Sequence, residues 1–543
     1  MQTKSFPPIR RSYRPDDILK VPAPALDRRT LLKMGISAAT LASLGSLAWM
    51  PLRVAQAMPS TFPDIQFDIG SFIAPAQTVA GVPVQFGPVF TLLVPATLTR
   101  TPVKSDQTTL ANALATVEAN YAFSPSGVFV FVAYGRPYFN RLPGGLTGTL
   151  VSSHMPRLSS NTSRFVLEEA VPSPTDVSPL NPKVTKATFN VPVRIETNDI
   201  LFTLRSDSLN NLNDIANWVQ GSNTLAGKSI ASPAFNGLLS FGDARVNFVQ
   251  PGLPRQTADL LGLPYANEIN PASSMWMGFV DQQVAGSAPN GATVTFVGTS
   301  HAKLTNAVAG NYFDNGSIQH LSHIIDDLPQ YYNKDATKFT GQEPYSERVQ
   351  YMFRSKTASG AAGLPFPQDP NDPFTNGGGQ GAPTGTLSTQ QQSAYLPDPF
   401  FGVNDFKTNF DPDLLATGVK QLRVGHEQAL QRSSRATDGT PLHIRNDGPG
   451  LSSLDVPDGS TQPTLEFTVF VPTAEFFRVM RVNAASLDLV SVADGGTATG
   501  VPAGVNPSAG EDDGLERFTT ATRRQNFLVP PRRHRAFPLL ELT

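Results

Sequence analysis

Seven histidines and no cysteine bound the chemistry open to this 543-residue chain. Without a thiol there is no disulfide, iron–sulfur cluster, thiolate metal site or cysteine nucleophile. Imidazole, carboxylate and guanidinium groups remain. His426 heads a polar, helix-like stretch, Gly425–Arg435 (GHEQALQRSSR), where a histidine is commonly a solvated or capping residue. Asp281 closes the apolar run Met275–Asp281 (MWMGFVD), a usual place for a turn or cap aspartate. Arg445 follows the apolar Leu442 and Ile444, as a strand-end arginine in a surface ion pair does. His320 and His323 lie in GSIQHLSHIIDDL, and a spacing of three places both near one helical face. With Asp326 or Asp327 they could form a metal site, but no third ligand is specified and a partly exposed helix face is the favoured reading. His154, His301 and His534 have no supporting context. Gly377–Gly379 and Gly425–His426 lack the lysine and the strand–helix frame of a phosphate loop, and no Gly-x-Ser-x-Gly occurs.

The elements that must hold such groups follow from the apolar pattern. Phe86–Ala96 (FGPVFTLLVPA) reads as a buried strand, Gln107–Tyr121 as a helix, and Val128–Tyr134 (VFVFVAY) as a second strand. Asp199–Ser206 (DILFTLRS) gives a third strand, and Asp207 and Ser208 open a helix that runs to Gln220. This order is that of a ferredoxin-like α+β unit. The second half repeats the plan. Ala292–Gly298 and Ser317–Ile324 read as strands, Ile324–Tyr332 as a helix, Thr464–Val471 (TLEFTVFV) as a strand and Thr473–Asn483 as a helix. Residues 58–87 form an irregular lead-in, and residues 357–420, rich in Gly, Pro, Gln and Asn, a long surface insertion. Domains are therefore expected at 58–270 and 271–543.

The first 57 residues read as an address. Arg28 and Arg29 precede Leu31, Leu32 and Lys33, a soft apolar run spans Met34–Met50, and Ala55-Gln56-Ala57 offers a cleavage site. This pattern predicts export of the folded protein by the twin-arginine translocase, to the periplasm or the medium. Removing nine basic and three acidic residues from 42 and 44 leaves 33 against 41, a mature charge of −8. Such a balance argues against nucleic acid or an anionic membrane as partner. No stable membrane span is expected after cleavage. The basic residues Arg523, Arg524 and Arg532–Arg535 are expected to pair with acids of the second domain.

Three segments in order also resemble the dye-decolorising (DyP-type) heme peroxidases. Asp199–Ser206 is similar to a strand of that family, Met275–Asp281 to its distal segment, and Gly425–Arg435, followed by Leu442–Pro449 (LHIRNDGP), to the segments with its proximal histidine and distal arginine. The resemblance implies two ferredoxin-like domains of the dimeric α/β-barrel type with antiparallel sheets, and one heme b in the second. It implies that His426 ligates iron, Asp281 shuttles a proton and Arg445 stabilises developing charge, as hydrogen peroxide is reduced and an organic or dye-like reductant oxidised. His443 is the rival ligand, and Asn446 and Asp447 could join the distal pocket. Trp218, Trp276, Tyr331 and Tyr332 are conceivable surface relays for electrons. Gln282 stands where the family has glycine, which motivates a rival reading: a heme-free or non-catalytic descendant acting as a secreted binding or scaffold protein. The oligomeric state is left open.

Overall fold

The computed structural model describes residues 62–75, 77–79, 82–84, 87–170, 188–235, 237–250, 252–269, 274–277, 291–298, 304–332, 443–475 and 518–543. Its main elements are β1 (Phe90–Leu98), α1 (Lys104–Asn120), β2 (Phe129–Gly135), α2 (Arg136–Arg141), β3 (Ile200–Ser206), α3 (Leu209–Val219), β4 (Leu239–Phe241) and β5 (Arg245–Phe248). They continue as β6 (Ser317–Asp326), β7 (Ile444–Arg445), β8 (Gly448–Ser452), β9 (Gln462–Val471) and β10 (Thr519–Val529).

In the first half, β4 and β5 both pair with one edge of β1, so together they act as a fourth strand. The spatial order is β2, β3, β1, then β4 with β5, all antiparallel, with α1 and α3 as the crossovers. The second half has the same plan. β7 and β8 share one edge of β9, and the order is β7 with β8, then β9, β6 and β10. Each half is a ferredoxin-like sheet, so the chain is α+β, as its sequence pattern indicates. The two sheets join edge to edge at both sides, β10 to β2 and β5 to β8, and close a barrel.

Closure explains why these strands carry few outward polar residues. Every residue of β1, β2 and β3 but one is buried, because one face lines the lumen and the other meets helices. Leu92, Val94, Val130, Val132, Phe202 and Leu204 face α1 and α3. Leu93, Phe129, Phe131, Leu201, Leu321, Phe470 and Phe527 fill the lumen with Phe67 and Ile69 of the lead-in. Ser208 caps α3 by accepting from the Asn211 amide at 3.3 Å. Among the described residues no helix is long and apolar enough to cross a membrane.

Two expectations in the second half are corrected. Ala292–Gly298 is not a strand; Gly291–Val294 forms a short 3-10 turn. The helix expected over Ile324–Tyr332 shrinks to a single turn at Leu328–Tyr331, and Ile324–Asp326 instead end a strand. Pro329 in that turn bars an amide bond that a longer helix needs. The insertion 357–420 and all but the start of the expected helix Thr473–Asn483 lie outside the described residues.

Candidate functional site

The outward faces of the two half-barrels differ in chemistry. That of the first half is apolar and closed by α1 and α3. That of the second half carries charge and hydrogen-bonding groups. Register places Arg445 opposite Val469, Val469 opposite His320, and His320 opposite Asn526, one row across β7, β9, β6 and β10. Val469 belongs to the outer core and its neighbour Phe470 to the lumen, so alternation turns this row outward. Ile444 packs on the lumen cluster, which gives Arg445 the opposite direction. Along β9, Leu465, Phe467 and Val469 form an apolar strip between Arg445 on one side and His320 on the other.

His320 is fully buried. Its Nδ1 lies 2.7 Å from the Asn526 Oδ1 and its Nε2 2.6 Å from the Ser322 Oγ. The amide oxygen only accepts, so Nδ1 carries the proton and Ser322 donates to Nε2. Burial, with Arg524 nearby and against the pull of Asn526, holds this imidazole neutral, well below its usual range. Both nitrogens are engaged, which disqualifies His320 as a metal ligand. Farther along the same face Asp326 is fully buried, and burial, Glu466 and Asp327 raise its carboxyl well above the ordinary value.

The lumen is apolar at one end and ionic at the other. Gln319 spans its middle, donating to the Thr203 Oγ1 at 3.0 Å and the Thr468 Oγ1 at 3.1 Å. At the ionic end Arg523 binds Asp455 at 2.6 Å and Asp243 at 2.8 Å, and Arg245 binds Glu196 at 2.5 Å. Burial opposes ionisation of Glu196, but Arg245 and Arg523 hold it below the usual carboxylate range. His323 Nδ1 meets the Glu466 Oε1 at 2.7 Å inside this lumen.

Of the residues singled out from sequence, Arg445 stands on the outward face, with His443 two positions before it. His426, Asp281, Gln282 and His301 lie outside the described residues. The proposed pairing of His320 with His323 is overturned: on a strand, three positions apart means opposite faces, and both rings are buried rather than partly exposed. Among the described residues no three His, Asp or Glu side chains converge on a metal position. Asn446 does not join Arg445 on the outward face, because its side chain accepts from Arg205 at 3.1 Å on the lumen side. Trp218, Trp276, Tyr331 and Tyr332 are buried, so none is a surface relay. Trp276 Nε1 donates to the Gly450 carbonyl at 3.0 Å, and Tyr332 donates to that of Trp276 at 2.6 Å.

The basic cluster near the C-terminus pairs within the chain, but largely with the first half and the lead-in. Arg532 and Arg535 both reach Glu118 at 2.5 Å, and Arg533 binds Asp64 and Asp314. Asp199, which opens the strand of the family resemblance, is structural here. It accepts from Arg141 at 2.7 and 3.0 Å and from the Leu98 amide at 2.7 Å. Sequence reasoning missed Ser322 and Asn526, and named Asp326 only as a metal ligand. Period-two spacing from Ile318 to Asp326 is the signal that would have placed His320, Ser322 and Asp326 on one face.

Residues 162–362 match the model of a family of unknown function, DUF7405. No curated protein matches significantly. Among solved structures, the chain is similar to a DyP-type peroxidase from Cellulomonas bogoriensis, at 14% identity and a TM-score of 0.41, over 85% of this chain and 95% of that one. It is similar to the dye-decolorizing protein of V. cholerae, at 14% identity and a TM-score of 0.39, over 87% and 98% of the two chains. A DypB variant from Rhodococcus jostii, solved in complex with heme, has 11% identity and a TM-score of 0.39, over 85% and 98%. At such identities and superpositions no residue role transfers from them.

Proposed function

We propose that the chain is a heme peroxidase, exported through its twin-arginine signal, that reduces hydrogen peroxide while oxidising an organic reductant. The observation that carries this reading is the chemical asymmetry of the two half-barrels. Among the described residues, only the second half turns a guanidinium and a hydrogen-bonded histidine outward across an apolar strip. An apolar strip beside a guanidinium is the chemistry that a flat, apolar group with a charged rim would need. Leu465, Phe467 and Val469 offer the bed, and Arg445 the charge beside it. Heme, when bound, supplies redox chemistry at its iron.

His426 is the proposed iron ligand, as the family resemblance of Gly425–Arg435 implies; His320, with both nitrogens engaged, is not a candidate. Asp281 is the proposed carrier of a proton from one peroxide oxygen to the other, and Arg445 the stabiliser of the charge that grows on the departing oxygen. The rival reading, a heme-free descendant, draws on Gln282 in place of the family's glycine. One measurement separates the two. Protein purified from heme-replete cells should show an intense Soret band that His426→Ala abolishes. Arg445→Leu should keep the band and slow the peroxide reaction by about 10²-fold. A colourless wild-type protein would sink the peroxidase reading. Arg28→Lys with Arg29→Lys should strand the chain in the cytoplasm, and unchanged export would end the twin-arginine proposal.

A further inference from the structure

Arg205 is a buried guanidinium that, among the described residues, forms no ion pair with a carboxylate. It projects from β3 into the lumen, donating to the Thr91 Oγ1 at 3.3 Å and the Asn446 Oδ1 at 3.1 Å, both neutral acceptors. Burial, only partly countered by Asp207, pushes it down to about 10. A side chain built on Gly87 would stand 2.5 Å from its Nη2, so the guanidinium is packed against bare backbone. Burying a cation against neutral partners is costly. The arrangement is informative because of what Arg205 holds.

Asn446 sits at the break between β7 and β8, directly after Arg445. Three of its four polar atoms are bound by the barrel. Its side chain accepts from Arg205, its amide donates to the Thr468 carbonyl at 2.8 Å, and its carbonyl accepts from the Asn247 Nδ2 at 3.0 Å. Alternation along an extended chain then leaves Arg445 one direction, outward. β7 is two residues long, so its two ladder pairs and the packing of Ile444 share that task with the anchored Asn446.

We propose that Arg205, a residue of the first half, is a positioning residue that aims Arg445 of the second half by anchoring Asn446 from inside the barrel. The functional part of this inference rests on the peroxidase reading of Arg445; the structural part does not. Hydrogen exchange tests the structural part on the chain as purified, with or without pigment. Arg205→Gln and Asn446→Leu should each speed exchange of the Ile444–Asn446 amides by about tenfold or more, the loss of a charge-assisted hydrogen bond. β3 should stay protected, and Asn446→Asp, which keeps an acceptor, should exchange as wild type. If Arg205→Gln does not fold, Asn446→Leu carries the test. Wild-type exchange of Ile444–Asn446 in the folded variants would overturn the proposal.

The peroxide reaction of the pigmented protein tests the rest. Arg205→Gln should slow it toward the level of Arg445→Leu, and the double variant should be no slower than Arg445→Leu alone. Additive losses would mean that Arg205 acts by another route, and would overturn the positioning role. A colourless wild type would sink the peroxidase reading but leave the exchange result to decide the anchor.

Discussion

At Asp326 the protein keeps a carboxyl in its interior whose Oδ1 meets no donor. Burial, Glu466 and Asp327 all favour its neutral form. A carboxyl with a raised folded value contributes stability that is complete below the unfolded value, about 3.9 for Asp, and is lost as pH rises through the folded one. Asp326→Asn, neutral at every pH, should therefore match wild type near pH 3 and become the more stable chain on alkaline titration, by about 2 kcal/mol at pH 8. Urea midpoints across that range measure the difference, and a constant difference would refute the buried-acid account. Single residues were the hardest scale to read from sequence. His320 and His323 look alike in GSIQHLSHIIDDL, yet one faces outward to Asn526 and the other inward to Glu466. Their roles depend on partners about 140 to 200 positions away, which no local spacing encodes.

β8 shows how closely an element can be held to its neighbours. Gly450 is its sole registered partner to Asn247 of β5, one of the two seams that close the barrel. A side-chain carbon there would lie 2.6 Å from the Thr464 Oγ1 and 2.7 Å from the Val246 carbonyl. Gly450→Ala should therefore lift β8 from both neighbours and cost about 1–3 kcal/mol in a urea titration. It should also speed amide exchange in β5 and β8 while sparing β2 and β3; an unperturbed β5 would show that the seam tolerates the methyl. Strands were readable where β-branched and aromatic residues were dense, as in Val128–Tyr134 and Thr464–Val471, which fall within a residue or two of β2 and β9. Ser317–Ile324 reads as a strand and is one, but the helical face given to His320 and His323 is wrong, because the segment is buried on both faces and mixes His, Ser and Gln with Ile and Leu. Its polar residues fall three apart as readily as two, so a helical period competes with the strand period. The seam glycines carried no signal, since their reason is a contact with distant backbone.

Over the whole molecule, the C-terminal tail ties the second half to the first. Phe537, Leu539 and Leu540 are buried, and the Arg535, Ala536, Phe537 and Pro538 carbonyls are bound by Tyr134, Gln107 and Tyr138 of the first half. Glu541 fastens the end. It accepts from Tyr312 at 2.5 Å and Gln107 at 2.7 Å, and lies 3.0 Å from the Nδ1 of His534, whose ring stacks on Tyr312. Burial resists the ionisation of Glu541, but His534, Tyr312 and Gln107 bring it down to about 2. A chain ending at Arg535 should lose on the order of 5 kcal/mol, from three exposed apolar side chains and stranded tyrosine hydroxyls. A depressed carboxylate contributes stability that is complete above its unfolded value, about 4.3 for Glu, and is lost as pH falls through the folded one. The gap between full-length and shortened chains should thus be level from pH 5 to 7 and narrow between about pH 4 and pH 2. Glu541→Gln in the full-length chain should remove that acid limb while keeping the apolar part of the gap. A gap as wide at pH 2 as at pH 7 would mean that apolar contact alone holds the tail, with no contribution from the carboxylate.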